Sequence, residues 1–286
     1  MSKKLKADVC VIVPNYNNGR YLDEFLQSVL NSTVEPSMLL IVDDGSTDNS
    51  AEVLAKYSSL SYLKVIYLKT NQGLTSALNT ALDHAQAKYI MRADPDDILH
   101  PRKIELQYDF LELHPEIDIL GCNVLYFNNL QKKINSSNFP LLHKHIVNAY
   151  RKGEHGVQHP TMMIKSEVYQ SYRYQPLFPG EDYEILARMA NDGRRFANQK
   201  EKLYYMRVHS GSSTSNLRYS GIENTFMFRD RIFGTTTSKL RKKIYYYHIS
   251  CYRRYQISPN LFKRWLSMLC AVFLHPSKLF KRIFSY

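Results

Sequence analysis

Carboxylates gather at three places in this chain of 286 residues, and each place could do chemistry. In Asp94-Pro95-Asp96-Asp97 the side chains of Asp94 and Asp96 leave an extended backbone on the same side and can converge. Pro95 lacks an N–H and stiffens the link between them. Converging carboxylates suit a hard divalent cation, which in turn bridges phosphate oxygens. A solvated acidic turn capping the next helix has the same composition, so spacing leaves both readings open. Asp43-Asp44-Gly45-Ser46 could accept from a nucleobase imide N–H or a ribose hydroxyl. By itself it reads more readily as an Asx-type turn in which Asp48 or a neighbour caps a helix, and Asp48 is assigned to that role.

Glu181-Asp182 opens a helix after Pro179-Gly180. Asp182, Ile185, Leu186 and Met189 share one helical face, so Asp182 points toward the apolar side, where it could serve as a general base facing a cleft. An acidic residue in a helix's first turn is also favoured by the dipole alone. The dipole lowers the pKa of such a carboxylate and partial burial raises it, and sequence does not decide between them. His159 in Val157-Gln158-His159-Pro160-Thr161 and His209 in Arg207-Val208-His209-Ser210-Gly211-Ser212 read by themselves as structural or surface histidines.

The elements that would position these groups follow from apolar patterning. Val9 to Val13 reads as a strand buried on both faces and ended by Pro14; Leu39 to Val42, Lys64 to Leu68 and Tyr89 to Met91 read as three more. Between them, Leu22, Phe25, Leu26, Val29 and Leu30, and later Leu74, Ala77, Leu78, Ala81 and Leu82, recur at helical spacing. A helix starts near Asn49 and another runs from about Pro101 to His114. Apolar strands alternating with helices predict a mostly parallel sheet covered on both sides. In such sheets ligands bind beyond the carboxyl ends of the strands, which is where both Asp clusters fall. From about Glu116 to His209 the pattern predicts shorter strands and one clear helix, Glu181 to Asp192, stopped by Gly193. From about Asn216 it predicts two or three helices. The expected division is 1–115, 116–215 and a C-terminal helical extension, 216–286.

Composition excludes several classes. The chain has no Gly-x4-Gly-Lys-Ser/Thr and no Gly-x-Gly-x-x-Gly, which argues against P-loop and dinucleotide enzymes. Cys10, Cys122, Cys251 and Cys270 lack metal-ligand spacing and read as reduced thiols of a cytosolic protein, mostly core filler. No stretch reads as a signal peptide or a bilayer span. The formal net charge is +12, but 11 Lys and Arg and no Asp or Glu lie between Lys239 and Tyr286, leaving 27 basic and 26 acidic residues before them. The basic character therefore belongs to a tail, and its partner is expected to be anionic and separate from the chemistry.

In order, Val11-Ile12-Val13-Pro14-Asn15-Tyr16-Asn17, Val42-Asp43-Asp44-Gly45-Ser46-Thr47-Asp48, Asn71-Gln72-Gly73-Leu74, Arg92-Ala93-Asp94-Pro95-Asp96-Asp97 and Gly180-Glu181-Asp182-Tyr183-Glu184 resemble the family 2 glycosyltransferases of the GT-A fold. The resemblance covers about residues 8 to 215, and the conjunction of pieces reverses the turn readings of both Asp clusters. It implies that Pro14, Tyr16 and Asp44 hold a nucleobase, Asp44 accepting an imide N–H, which suits uracil, thymine or guanine. It implies donor contacts from Asn17, Asn71, Gly73, Arg92 and Asp94. Asp94 and Asp96 form the Asp-x-Asp motif for Mn2+ or Mg2+, with Asp96 the direct ligand and His209 completing the coordination. Asp182 is the implied catalytic base, and His159 and Glu181 fall on the acceptor side.

The implied reaction moves one sugar from a nucleotide-sugar, foremost a UDP-sugar, to a hydroxyl of a glycan or lipid-linked acceptor, by direct displacement with inversion. Bacterial surface polysaccharide or lipopolysaccharide synthesis is the implied setting. Processive members carry Gln-x-x-Arg-Trp and membrane spans; Leu261-Phe262-Lys263-Arg264-Trp265 lacks the Gln, so single-sugar addition is expected. Two alternatives share features with this reading: a sugar nucleotidyltransferase, whose Gly-rich basic loop is missing after the first strand, and a catalytically inactive GT-A-like membrane-associated binding protein, against which Asp94, Asp96 and Asp182 speak. The tail places Leu261, Phe262, Trp265, Leu266, Leu269, Val272 and Phe273 on one broad helical face among basic residues. That pattern fits an anionic membrane surface rather than nucleic acid and predicts a peripheral protein on the cytoplasmic face of the inner membrane. A helix packed on the body with its basic residues in water is the competing reading.

Overall fold

A computed structural model of the chain describes residues 4–130, 132–177, 179–209, 218–257 and 260–275. Ser210, Gly211 and Ser212 of the histidine motif, and Lys278, Lys281 and Arg282 of the basic tail, lie outside the described residues. The chain divides into two compact units, 1–212 and 213–286.

The first unit is built on a nine-stranded sheet. Its centre is β1 (Lys6–Asn15), flanked by β2 (Glu35–Asp43) and β4 (Tyr89–Arg92), with β3 (Leu63–Tyr67) outside β2. These four strands are parallel. Val9, Val11 and Val13 share one buried cluster with Leu22, Phe25 and Leu26 of α1 (Gly19–Leu30). On the opposite face α3 (Leu74–His84) lies on β1 and β2 and buries Ala77, Leu78, Ala81 and Leu82. Helices on both faces are why every residue from Val9 to Val13 is fully buried, each large side chain contributing about 1.5–3 kcal/mol by leaving water. α2 (Ser50–Ala55) follows β2.

β1 runs through Pro14 to Asn15 rather than stopping at the proline. Ile12 O accepts from Ala93 N on the β4 side, so by alternation Pro14 also faces that side. β4 has ended there at Arg92, so the missing N–H costs no ladder bond.

Beyond β4 the sheet becomes mixed. β8 (Met163–Lys165) is antiparallel to both β4 and β6 (Ile119–Asn128), and β9 (Phe196–Val208) is parallel to β6 and antiparallel to the short β5 (Ile98–Leu99). β7 (Lys133–Ser136) pairs with β6. The sequence expectation of short strands and one helix after Glu116 needs correction here. β6 has 10 residues and β9 has 13, and the exposed Lys200, Glu201 and Lys202 interrupt the apolar pattern of β9. α4 (Lys103–Leu113) precedes this segment, which besides the expected α7 (Glu181–Asn191) forms α5 (His143–Arg151) and α6 (Ser166–Ser171). α5 buries only Ile146 and Tyr150, one i,i+4 pair, too little for a periodic signal. Residues 1–115 and 116–212 share one sheet and lie in the same compact unit.

The second unit contains α8 (Tyr219–Phe233), α9 (Lys239–Ile257) and α10 (Leu261–Leu274). Among the described residues no helix is long and apolar enough to cross a membrane.

One buried charge stands out behind the sheet. Lys103 is fully buried; its Nζ donates to Gln107 Oε1 and, at 2.8 Å, to Thr161 O, and lies 5.8 Å from the Tyr204 ring. Burial pushes its pKa down to about 8. A lysine whose folded pKa lies below its unfolded value binds fewer protons folded than unfolded between those two values, so stability rises as pH climbs through that window. Urea unfolding at pH 8 and pH 10 should show stability gaining up to about 1.4 kcal/mol per pH unit from this group, a gain that disappears from the difference between wild type and Lys103→Met. Equal pH slopes in the two proteins would show that the ammonium is not desolvated.

Candidate active site

The carboxyl ends of β1, β2 and β4 lie at one edge because the strands are parallel, and the acidic turns follow them there. Asp43 accepts from Asn15 Nδ2 at 2.7 Å and from Ser46 N at 2.9 Å. Asn17, the one non-glycine residue with positive φ among the described residues, accepts from Thr47 N at 2.8 Å. Asp48 accepts from Gly19 N and Ser50 N at 2.8 and 3.0 Å, joining the starts of α1 and α2. Asp43, Asn17 and Asp48 are therefore scaffold, holding the β1 and β2 turns as one rigid rim.

Asp44 is different. Its two oxygens accept from Gln72 N and Gly73 N, each at 2.8 Å, so it draws the 70–73 loop across the strand ends. Gly45 permits this approach: its φ is +72°, and a Cβ there would sit 2.7 Å from the Thr70 carbonyl carbon. The result is a cleft of about 550 Å3 lined by Pro14, Tyr16, Asp44, Asn71, Gly73 and the opposing Pro176, among others. Five of the expected donor-side residues thus share one cleft. Asn17 turns away from it into the rim, and Arg92 lies deeper at the end of β4.

The second cluster follows β4. Ligand atoms of Asp94, Asp96 and Asp97 all lie within 4.8 Å of one another. Burial raises the Asp94 pKa and Asp96 raises it further, outweighing the neighbouring Arg92 cation. Burial, then Asp96 and Asp94, push Asp97 well above the usual carboxylate range. Basic and hydroxylic groups hold the crowd in place. Arg92 Nη2 is 2.5 Å from Asp94 Oδ1, while its Nε and Nη1 are buried without a hydrogen-bond partner. His209 Nε2 is 2.9 Å from Asp96 Oδ2. Arg207 donates from its backbone N to Asp97 Oδ1 at 2.7 Å and from Nε to Asp96 O at 2.8 Å, and it pairs with Glu24 of α1. Tyr204 OH accepts from Asp94 N at 2.9 Å. Three hard oxygen donors with an imidazole at one flank fit a divalent cation such as Mn2+ or Mg2+. The structure brings together the sequence-expected Asp94, Asp96 and His209, and adds Asp97.

Asp182 begins α7 after Gly180, whose φ of 122° favours glycine. Its Oδ1 accepts from Tyr183 N at 2.7 Å and its Oδ2 is 3.8 Å from His155 Nδ1. Burial raises its pKa, but His155, His159, the Tyr183 N–H and Arg92 together outweigh burial and the net shift is downward. The contest that sequence left open resolves toward an ionised carboxylate, still about one-third exposed. Its charge in turn acts on Asp94, so the two clusters sense each other electrostatically.

His159 lies buried on a 3-10 turn (His159–Thr161), its Nε2 2.8 Å from Tyr174 OH. Burial and then Arg92 lower its pKa to about 3, so it is neutral at ordinary pH and sits behind Asp182 in the wall. Glu181 is also buried; burial and then Asp182 raise its pKa. Sequence reading missed His155, Tyr174, Tyr204, Arg207 and Pro176. None belongs to a short motif, although Arg207 stood beside a noted histidine.

Three comparisons bear on this geometry. Residues 10–173 match the family model for glycosyl transferase family 2. The O-antigen biosynthesis glycosyltransferase WbnJ of Escherichia coli is 28% identical over 217 residues, covering 74% of this chain and 84% of the relative. Among solved structures, S. aureus TarS 1–349 in complex with UDP-GlcNAc has a TM-score of 0.65 at 19% identity, covering 95% of this chain and 82% of that one. A mannosyltransferase of Pyrobaculum calidifontis in complex with GDP-Man and Mn2+ has 0.59 at 15%, covering 98% and 84%. At such identities the two structures speak for the fold. The family match spans both the nucleotide-side cleft and the acidic cluster, and with the sheet described above it makes this chain a family 2 glycosyltransferase of the GT-A fold.

Proposed function

We propose that the enzyme transfers a single sugar from a UDP-sugar to a hydroxyl of a glycan or lipid-linked acceptor, with inversion, in the assembly of a bacterial surface polysaccharide. The observation that carries this reading is one ionised carboxylate, Asp182, in electrostatic reach of a cation-type acidic cluster. A glycosidase would use a pair of carboxylates, one of them protonated, across the scissile bond. Here one base suffices, because a nucleoside diphosphate leaves without needing a proton.

Asp44 would take the nucleobase: each of its oxygens keeps a lone pair beyond the Gln72 and Gly73 bonds, and an imide N–H is the donor that it fits. Uracil and guanine both carry such an N–H, and the nucleotide-sugars named with TarS and the Pyrobaculum enzyme are of these two kinds. Pro14 and Tyr16 would flank the base, with Asn71 and Gly73 closing the cleft around the nucleoside.

Asp96 with His209, and Asp94, would hold Mn2+ or Mg2+, which when bound offsets the charge of the departing diphosphate. The fit rests on three converging oxygens and the imidazole 2.9 Å from Asp96. Arg92 would keep Asp94 aimed through its ion pair. It would offer its unpartnered Nε and Nη1 to the donor. Asp182 would take the proton of the acceptor hydroxyl as that oxygen bonds to the anomeric carbon. The carbon–oxygen bond to the diphosphate breaks on the opposite face, inverting the centre. Neutral His159 and the buried Glu181 would shape the acceptor side of the wall.

The name of WbnJ refers to O-antigen biosynthesis, which supports a surface glycan as product; an acceptor presented at the cytoplasmic face of the inner membrane is part of the same proposal.

Purified protein offered UDP-, GDP- and dTDP-sugars should bind or slowly hydrolyse one of them in Mn2+, and Asp96→Ala should abolish that dependence. Folded protein that binds none of them would sink the transferase reading. Asp182→Asn should lower kcat by about 100- to 10,000-fold, the usual worth of a positioned base, while donor affinity stays unchanged; a fall of less than tenfold would exclude Asp182 as the base.

The low pKa of Asp182 predicts that kcat/KM stays flat as pH falls through the ordinary aspartate range and declines only below it, since the ionised form is the active one. Burial opposes this and His155 is the first of the groups that outweigh it. His155→Ala should therefore move the acid limb upward. An unmoved limb would show that His155 does not tune the base.

A further inference from the structure

We infer that the α9–α10 hairpin is a membrane-surface anchor, with the outward face of α10 seated in the interface of an anionic bilayer. The inference rests on no part of the catalytic reading. Within the second unit, α10 packs along α9 by one side. Ala271 is fully buried there, and His248 Nδ1 of α9 lies 2.8 Å from Ala271 O. Asn260 caps the start of α10, its side chain accepting from Lys263 N. The helix therefore has its packing partner already.

The face left over is the apolar one. Leu261, Phe262, Trp265, Leu266, Leu269 and Phe273 are between 55 and 88% exposed, and from Phe262 onward they recur at three- and four-residue steps along one stripe. Val272, placed on that face by sequence, is only half-buried and belongs to its edge. An exposed stripe of this size marks a contact surface.

Charge decides which contact. Eight Lys and Arg and no Asp or Glu lie between Lys239 and Leu274. Two of them, Lys263 and Arg264, stand on α10 itself. Arg264 lies 5.4 Å from the Tyr255 ring, and with Tyr255, Leu261, Trp265 and Met268 it lines a hollow of about 240 Å3 beside the stripe, placed to take a phosphate while Trp265 sits at the headgroup level. A second copy of the hairpin would bring eight more positive charges against these eight; an anionic leaflet neutralises them. At 14 residues the helix is about 21 Å long, short of the roughly 30 Å hydrocarbon core, so it lies in the interface rather than across it.

Trp265 is the chain's only tryptophan and reports on this directly in the full-length wild-type protein. Mixed with vesicles of phosphatidylcholine and phosphatidylglycerol, its emission should shift to the blue and be quenched by lipids brominated on the acyl chain. Raising salt from about 0.1 to about 0.5 M should weaken binding at least tenfold. Phe262→Ser, Leu269→Ser and Phe273→Ser combined keep the tryptophan and should lower vesicle affinity by about tenfold or more, with hydrolysis of soluble donor unchanged. An emission that neither shifts nor quenches would overturn the inference. So would equal binding to neutral vesicles, or a blue shift without lipid that tracks dimer formation in sedimentation, which would assign the stripe to a second copy.

Discussion

Three carboxylates within 4.8 Å of one another repel, and they do so partly out of water, at the end of β4. Much of the surrounding structure answers that repulsion. Arg207 is the chief holder: buried, stacked against the rings of Tyr21 and Phe127, it binds the acidic turn through both backbone and side chain and ties it to Glu24 of α1. Arg92 offsets Asp94 from below and His209 meets Asp96 from the side. Burial first, and the neighbouring carboxylates after it, raise the pKa of Asp94 and Asp97 despite these partners. A preorganised pocket with surplus negative charge is what a divalent cation needs, and the cost of assembling it is borne by the fold in advance.

The same economy of charge separates Asp182 from that cluster. It is one more carboxylate in the same electrostatic neighbourhood, yet its pKa falls because His155, His159 and the Tyr183 N–H face it. Carboxylates of one residue type thus acquire opposite tendencies from their surroundings. The mixed half of the sheet makes this possible. β8 is antiparallel to β4 and so starts, after the 3-10 turn that carries His159, at the edge where β4 ends, whereas β9, parallel to β6 and hence to β4, brings Tyr204, Arg207 and His209 to that same edge as it ends.

The nucleotide side is governed by backbone rather than charge. Asp44 spends one bond per oxygen on the 70–73 loop, and Gly45 lets that loop pass close by. Asp43, Asn17 and Asp48, equally polar, lock the two turns together.

Sequence by itself determined the first parallel strands, their covering helices and the location of both Asp clusters. Apolar runs of four or five residues alternating with helical periodicity have few other solutions. It also determined the basic tail and its apolar stripe, since charge counts and helical spacing survive without coordinates. Tertiary structure alone decided the rest. α5 and the long β6 and β9 carry interrupted apolar patterns, so only packing reveals them. The partners of the acidic turn, Tyr204, Arg207 and His209, lie more than a hundred residues from it, and no local pattern encodes a contact of that range. Whether Asp182 is ionised, and which face of α10 meets α9, are likewise outcomes of what surrounds a side chain in space, which sequence order does not state.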